Sequence, residues 1–478
     1  VSLRQIGLRG AFAATWLGAI LALSLALRGA ALAQDAPLDR NDFVIDVYTG
    51  PALGSSRMIG MGGAFAAAAA GIEGAPMNPA TLAARQHWEL DWFEWELAFG
   101  VLFPGAFDGD DLDNNGDDRF RYDGFVFAEL GLAFHFGALG AGALGRTYSY
   151  GLGGGDGSTL VSLTVGHYGA GYALFDGGLL LGAGARTAAM DVSRSGTDTT
   201  YVGFAGTAPE VGAILAPHDW PVRLAASFRA ALTSRLATGA TPDDVQRVGG
   251  LVTPRAVHLP WELHLGVAWQ VGPRPLNRPW VDPHAAEDAI EAPYAAARAS
   301  RRIAQLRAEG NPDVRAEPRD PVWQARERAR RALEDQDLAA EVAAAEAARR
   351  AEVARLPRRY VLLVADLIVT GPTRDGVGLE GFVSGLRQRS GERVVASVRL
   401  GAETEVWPDV LKVRLGSYFE PTRFSTSIGR AHLTGGFDLH VFDWDVFGLV
   451  RKTAWRVTGT FDIARAYTDW GVGVGVWH

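Results

Sequence analysis

The sequence predicts an all-β fold, a transmembrane antiparallel β-barrel of about fourteen strands with one inserted helical hairpin. Three observations predict it. Apolar side chains recur at every second position in segment after segment, with charged residues in mid-strand on the opposite face. Beyond a leader-like N-terminus, no stretch is long and apolar enough for a transmembrane helix. Connections alternate between long and tight, as barrel loops and turns do. The 59 glycines and 14 tryptophans suit close-packed strands and aromatic girdles.

Taken in order, the chain opens with Arg4 and Arg9, an apolar run from Ala11 to Leu27, and Ala31-Leu32-Ala33. These form the charged, apolar and small-residue regions of a signal peptide over 1–33, with cleavage expected after Ala33. There is no cysteine, which speaks against a cysteine-linked lipid anchor, disulfides and thiolate metal sites. The net charge of -8 speaks against a nucleic-acid partner. Residues 34–86 form a small-residue segment ahead of the first strand.

Strands are predicted at 87–103, 120–136, 138–150, 158–175, 179–193, 200–216, 221–234 and 257–272. Six more follow at 359–371, 392–407, 410–420, 429–442, 453–463 and 468–477. They form a first barrel part, 87–272, and a second, 359–478. The clearest alternation sets Trp261, Leu263, Leu265, Val267, Trp269 and Val271 against Glu262, His264, Gly266, Ala268 and Gln270. Leu433, Phe437, Leu439 and Val441 likewise oppose Arg430, His432, Asp438 and His440. In a membrane barrel the first face meets lipid and the second the lumen. A soluble sandwich also alternates, but it would place its charges in bulk water. The chain closes Val476-Trp477-His478, a departure from the usual final aromatic of outer-membrane barrels.

Residues 273–358 differ in composition. After a Pro-rich stretch, His284 to Glu309 and Pro321 to Leu356 read as two Ala/Arg/Glu-rich helices separated by Gly310-Asn311-Pro312, with Pro293 a possible interruption. Loop parity puts this insertion in the periplasm. Its thin apolar stripe and balanced charge leave two readings, a solvated hairpin or a docking arm for a periplasmic or secreted protein partner.

Three features carry candidate chemistry. Asp111-Leu112-Asp113-Asn114-Asn115-Gly116 matches the start of a calcium loop, with Asp111, Asp113 and Asn115 as Ca2+ ligands and Gly116 at the turn. The twelfth position is Tyr122 where the motif wants a bidentate Glu, so a weak site or a solvated acidic loop is expected. The lumen histidines His264, His432 and His440 lack a nucleophile motif, and no catalytic set emerges. Arg399, Lys412, Arg414 and Arg430 face the lumen beside Glu403, Glu405 and Asp438. They either pair internally and stiffen the barrel, or meet the head group of an amphipathic acid.

The segment Pro51 to Arg85 reads P-A-L-G-S-S-R-M-I-G-M-G-G-A-F-A-A-A-A-A-G-I-E-G-A-P-M-N-P-A-T-L-A-A-R. It resembles the N-terminal hatch of the FadL-like outer-membrane barrels, which include the PorV-type proteins. Looser patches run through Leu259 to Glu262, Arg399 to Glu403 and Arg414 to Pro421; the insertion is not covered. The resemblance implies a bacterial outer-membrane barrel of about fourteen strands, surrounded by outer-membrane lipid. Gly60, Met61, Gly62, Gly63, Phe65, Asn78 and Pro79 would belong to its gate. Asn-Pro is expected to end a helical turn and start the first strand. Passive uptake of hydrophobic compounds such as long-chain fatty acids is implied, with sideways release through the wall and no cofactor. The residues Gln34 to Gly50 ahead of the motif suggest an N-terminus that stays out of the ligand pocket. The alternative is a PorV-like interaction or secretion-associated barrel that docks a protein through its insertion.

Overall fold

The computed structural model describes residues 36–48, 50–105, 111–117, 120, 122–153, 159–236, 245–425, 427–446 and 450–476. The expected leader 1–33, acidic-loop residues 108–110 and 118, and the closing residues 477–478 lie outside them. Fourteen strands close into one antiparallel barrel. They are β1 Phe93–Leu102, β2 Tyr122–Phe136, β3 Leu139–Leu152, β4 Thr159–Leu174, β5 Leu179–Arg194, β6 Thr200–Leu215 and β7 Val222–Arg229. The second part contributes β8 Glu262–Val271, β9 Val361–Thr370, β10 Val395–Trp407, β11 Leu411–Glu420, β12 Arg430–Val446, β13 Val450–Ala464 and β14 Tyr467–Val476. Each strand pairs with its sequence neighbour, and β14 returns to β1 through Phe99↔Val474 to Leu102↔Gly471.

The two faces sort as the alternation requires. On β8, Leu265, Val267, Trp269 and Val271 point outward and are exposed, while His264, Ala268 and Gln270 are buried. The same holds for Leu433, Phe437, Leu439 and Val441 against His432 and Asp438. An exterior this apolar, on a barrel with no free sheet edge, is a lipid-facing surface. Exposed aromatics Trp92, Phe93, Trp95, Phe136 and Tyr172 cluster at one end, where Phe93 packs against Phe134 and Phe136. Phe228 with Trp261, and Phe103 with Trp470, mark the other end. Long connections follow most odd-numbered strands and short turns most even-numbered ones. The long-loop end is therefore the outer face and the short-turn end the periplasmic face.

The insertion leaves β8 at the periplasmic end. Asn277 donates to the carbonyls of Pro217, Trp220 and Val222, which lays 272–282 across the barrel base. Helices α2 (Pro283–Ala308) and α3 (Pro321–Ala354) follow. Each opens on an Asp N-cap with Pro at the first helical position, Asp282 on α2 and Asp320 on α3. Pro293 sits inside an unbroken α2. The two helices are held by ion pairs, Arg298 to Glu334 and Arg301 to Glu327 and Glu334, and bury almost nothing but Leu306 and Glu327.

Two expectations are corrected. The first strand starts at Phe93, six residues later than 87, because 86–92 turn out of the lumen. Asn78-Pro79 starts a 3-10 turn, Pro79–Ala83, and does not lead into a strand. The Asn78 side chain accepts from Ala80 N–H at 3.0 Å, and Pro at the first position costs no donor, so the pair caps a helical start.

Candidate functional site

The N-terminal segment descends through the barrel and defines the site. At the outer mouth Val44–Asp46 lies between Ala256–Leu259 and Gly376–Val377, parallel to both. Ala256–Leu259 pairs in turn with Leu232–Arg235, an extension of β7. This four-stranded cap is latched by Arg423, whose guanidinium donates to both Asp46 carboxylate oxygens at 2.7 and 2.9 Å. Thr373 and Ser390 hydroxyls donate to the same carboxylate. All three guanidinium nitrogens and both carboxylate oxygens have partners, as a buried pair requires.

Below the cap, the inward faces of the outer parts of β2–β6 are apolar. Phe125, Phe127, Tyr148, Val161, Leu163, Met190 and Phe204 form one buried cluster with Phe43, Ile45, Val47 and Leu53 of the N-terminal segment. Polarity is inverted here, since Ser162, Thr164 and Asp191 point out while Val161, Leu163 and Met190 point in. A cavity of about 70 Å³ remains, lined by Ile45, Val47, Leu53, Tyr122, Phe125, Tyr148, Tyr150, Val161, Leu163 and Met190. Contrary to expectation, the N-terminal segment therefore stands against this pocket.

A belt of charge underlies the chamber. Glu210 faces His167 at 3.0 Å and Arg229 at 3.6 Å, and Arg229 reaches Glu262 at 2.9 Å. Arg186 donates to the carbonyls of Ala230 and Pro260, fixing the point where β7 leaves the wall. The β6–β7 ladder runs only from Glu210↔Arg229 to Leu215↔Leu224. Alongside the outer half of β6 the buried side chain of Leu232 stands in place of a paired strand.

The hatch fills the level below. Helix α1 (Ser56–Gly60) is capped by Ser55, whose hydroxyl accepts from Met58 N–H. Met61 and Phe65 are fully buried. Phe65 and Ala66 N–H groups both donate to Asp366 of β9, at 2.7 and 2.8 Å. Gly62 donates to Thr434 at 3.0 Å and has φ +65°, with a Cβ there falling 2.6 Å from Leu400 O. Only glycine combines that backbone with that approach to the wall. Gly60 and Gly63 pack beside Arg414 and Arg399. On the far side, Asn78 Nδ2 donates to Ala213 O at 3.1 Å. The turn from Pro79 rests on strand glycines, and a Cβ on Gly140 would lie 1.7 Å from Leu82 O. The seven residues expected in the gate thus contact or pack against several parts of the wall.

The expected head-group residues are distributed differently. Arg414 is clamped between Asp438, through both terminal nitrogens, and Glu403 at 2.6 Å. Arg57 of the hatch joins Glu403 at 2.8 and 2.9 Å, and Arg456 links Asp438 to Glu73 of the hatch. Arg430 donates to Glu420 and to the carbonyl of Asp111. Arg399 lies over the Tyr418 ring at 5.2 Å, and Lys412 is half-buried beside the same network. For Arg414 and Arg430 the geometry is internal pairing: Arg414 shares Glu403 with Arg57 of the hatch, and Arg430 ties the wall to the acidic loop.

The acidic loop folds against the cap. Asp111 Oδ1 and Asp113 Oδ1 accept from Asn115 N–H at 3.0 and 3.2 Å, and Asp111 Oδ2 from Gly116 N–H at 2.9 Å. Glu380, from the short helix α4 (Leu379–Ser384), bonds the Asn115 amide and the Tyr122 hydroxyl. Burial, reinforced by Glu380 and Asp111, pushes the Asp113 carboxyl well above its usual range. Burial likewise pushes Glu380 up to about 7. Nothing in the sequence pointed to Glu380, which stands on α4, 258 residues from Tyr122.

No family model and no curated protein sequence matches this chain. Among solved structures it is similar to the CymD monoaromatic hydrocarbon channel, at 11% identity over 88% of this chain and 96% of that one, with a TM-score of 0.45. It is similar to a FadL homologue of Pseudomonas aeruginosa, at 11% identity over 92% and 97%, TM-score 0.43. The toluene transporter TodX of Pseudomonas putida gives 12% identity over 91% and 98%, TM-score 0.45. Likeness at this level carries neither ligand nor mechanism across.

Proposed function

We propose that this barrel takes up hydrophobic small molecules passively across the bacterial outer membrane. The carrying observation is the apolar chamber that the outer parts of β2–β6 build with the N-terminal segment, above the buried 51–85 segment inside the barrel. A water-filled pore has no use for inward Phe125, Val161, Leu163 and Met190, whereas an apolar ligand does. At about 70 Å³, the cavity is too small for a long acyl chain. Admission then requires Ile45, Val47 and Leu53 to withdraw, and the Asp46–Arg423 latch is the contact that holds them. Long-chain fatty acids remain the ligand class favoured by the FadL-like hatch sequence. Release through the wall beside Leu232, where the β6–β7 ladder ends, avoids passage through the hatch.

The test is equilibrium binding of a fluorescent long-chain fatty acid and of toluene to the purified barrel in detergent. Saturable binding to the wild type, lost in Val161→Asp, supports the reading. Absence of binding by either ligand, with ion conductance through an open pore, overturns it.

A second reading rests on the insertion. Its hairpin leaves Val322 and Leu333 exposed and touches the barrel chiefly near its base, through Trp92 on His284 and Arg350 near Asp91. That surface suits a protein-docking role, and co-purification from cells with and without Asp282 to Arg358 distinguishes the two readings.

A further inference from the structure

Glu89, Glu96 and His135 converge where the hatch leaves the lumen. One ligand atom from each lies within 4.8 Å of the others. Glu89 and His135 are buried and Glu96 partly so. Three elements supply them: the hatch exit, β1 and β2.

The histidine carries the argument. Its Nε2 lies 2.8 Å from Leu82 O. A carbonyl can only accept, so Nε2 bears the proton and Nδ1 of the neutral ring presents a lone pair. That Nδ1 is buried, has no hydrogen-bond partner, and faces Glu89 Oε2 at 3.7 Å, beyond hydrogen-bond range. An imidazole oriented through one nitrogen by a backbone carbonyl, with the other aimed at carboxylates, has the arrangement of a metal-ligating histidine.

The carboxylates are oriented as well. Glu96 Oε2 accepts from Ile72 N–H at 2.8 Å and Glu89 Oε2 from Gln86 N–H at 2.7 Å. Two acidic oxygens and an imidazole lone pair meeting in a buried site repel one another unless a proton or a cation lies among them. The neighbouring Arg85 cannot fill that place, because its guanidinium donates to the carbonyls of Gly137, Asp91 and Trp92. Access exists, since Glu89 lines a periplasmic vestibule of about 460 Å³.

The geometry points to a divalent-cation site formed by Glu89, Glu96 and His135, with water from the vestibule completing the shell. One nitrogen and two carboxylate ligands suit Zn2+ or Mn2+ over the oxygen-seeking Mg2+ and Ca2+. Bound there, the ion ties β1 and β2 to the hatch exit and, through Ile72 N–H and Leu82 O, to the hatch itself. The site is thus a staple at the periplasmic end of the plug, independent of which ligand the chamber takes.

The experiment strips tag-free, full-length barrel with chelator, restores Zn2+ and counts metal by mass spectrometry after dialysis. About one equivalent is expected, with affinity reduced about tenfold or more in Glu89→Gln and in His135→Gln. The rim variant His440→Ala should bind as the wild type does. Wild type that retains no stoichiometric Zn2+, or a folded Glu89→Gln/His135→Gln double variant that still retains it, overturns the proposal. Should the variants fail to insert, X-ray absorption on zinc-loaded wild type decides. One imidazole among oxygen ligands supports the site, and a shell without imidazole overturns it.

Discussion

The lumen has two unlike halves. Along β10–β14 the inward residues are charged and spent on one another and on the hatch, in the chain Arg57, Glu403, Arg414, Asp438, Arg456 and Glu73. Along the outer parts of β2–β6 they are apolar and pack with the N-terminal segment and with apolar cap residues such as Leu232, Val257 and Val377. Directional ion pairs fix a plug in one place, because each buried charge left without its partner is costly. Apolar contacts are non-directional, and an incoming apolar molecule can replace them. One half is built to hold, and the other to exchange.

Breaking the charged half should produce the largest effect. Arg414→Met takes the shared partner from Glu403 and Asp438, leaving them Arg57 and Arg456, and should cost roughly 3–5 kcal/mol, read as a lower urea midpoint in detergent. An unchanged midpoint would mean that the network does not anchor the hatch. In the apolar half, Leu163→Ala should cost about 2–4 kcal/mol through the space it opens, yet leave apolar-ligand binding intact or tighter. Weaker binding would show that the chamber is core and not pocket. Asp366→Ala removes the acceptor for Phe65 and Ala66 N–H, at about 1–3 kcal/mol. Hydrogen exchange should speed up at those two amides while chamber residues stay protected.

The cap and the hairpin should respond to pH in opposite directions. Glu380 and Asp113 have raised folded values, so the folded cap binds more protons than the unfolded chain. Its stability is fully present below about pH 4.5 and declines as pH rises toward the Glu380 value of about 7. Exchange at 111–117 should therefore quicken between pH 5 and 8, and Glu380→Gln should flatten that response. In the hairpin, hydrogen bonds from Arg298 hold Glu334 below its ordinary value, and Arg301 does the same for Glu327 against the effect of burial. That contribution is present above about pH 4.5 and fades only as pH falls through the lowered values. The smallest change should follow deletion of Asp282 to Arg358, with the barrel's melting temperature nearly unmoved. A large drop would make the hairpin a structural brace.

Much of the barrel was legible because a strand's period of two writes wall and lumen directly into the sequence. Fourteen strands, their approximate ends and the outward Leu265 and Trp269 could all be read that way. The helices of the insertion were legible from their Ala/Arg/Glu-rich composition and the Gly310-Asn311-Pro312 break between them. Pairing of Arg414 with Glu403 and Asp438 was one of two readings, and side-chain geometry selected it. The inverted polarity of Val161-Ser162-Leu163-Thr164-Val165 was visible but needed to be read as an apolar interior, which the expectation of a polar lumen obscured.

By itself the sequence determined what repeats locally: alternation, loop and turn lengths, helical composition and the glycine-rich 51–85 segment, each set by neighbours a few residues apart. Tertiary structure alone decided which distant residues meet. It brought Asp46 to Arg423, Glu380 to Asn115, and His135 to Glu89 and Glu96. Barrel closure and the descending hatch set those distances, and no local period encodes a contact made across a lumen.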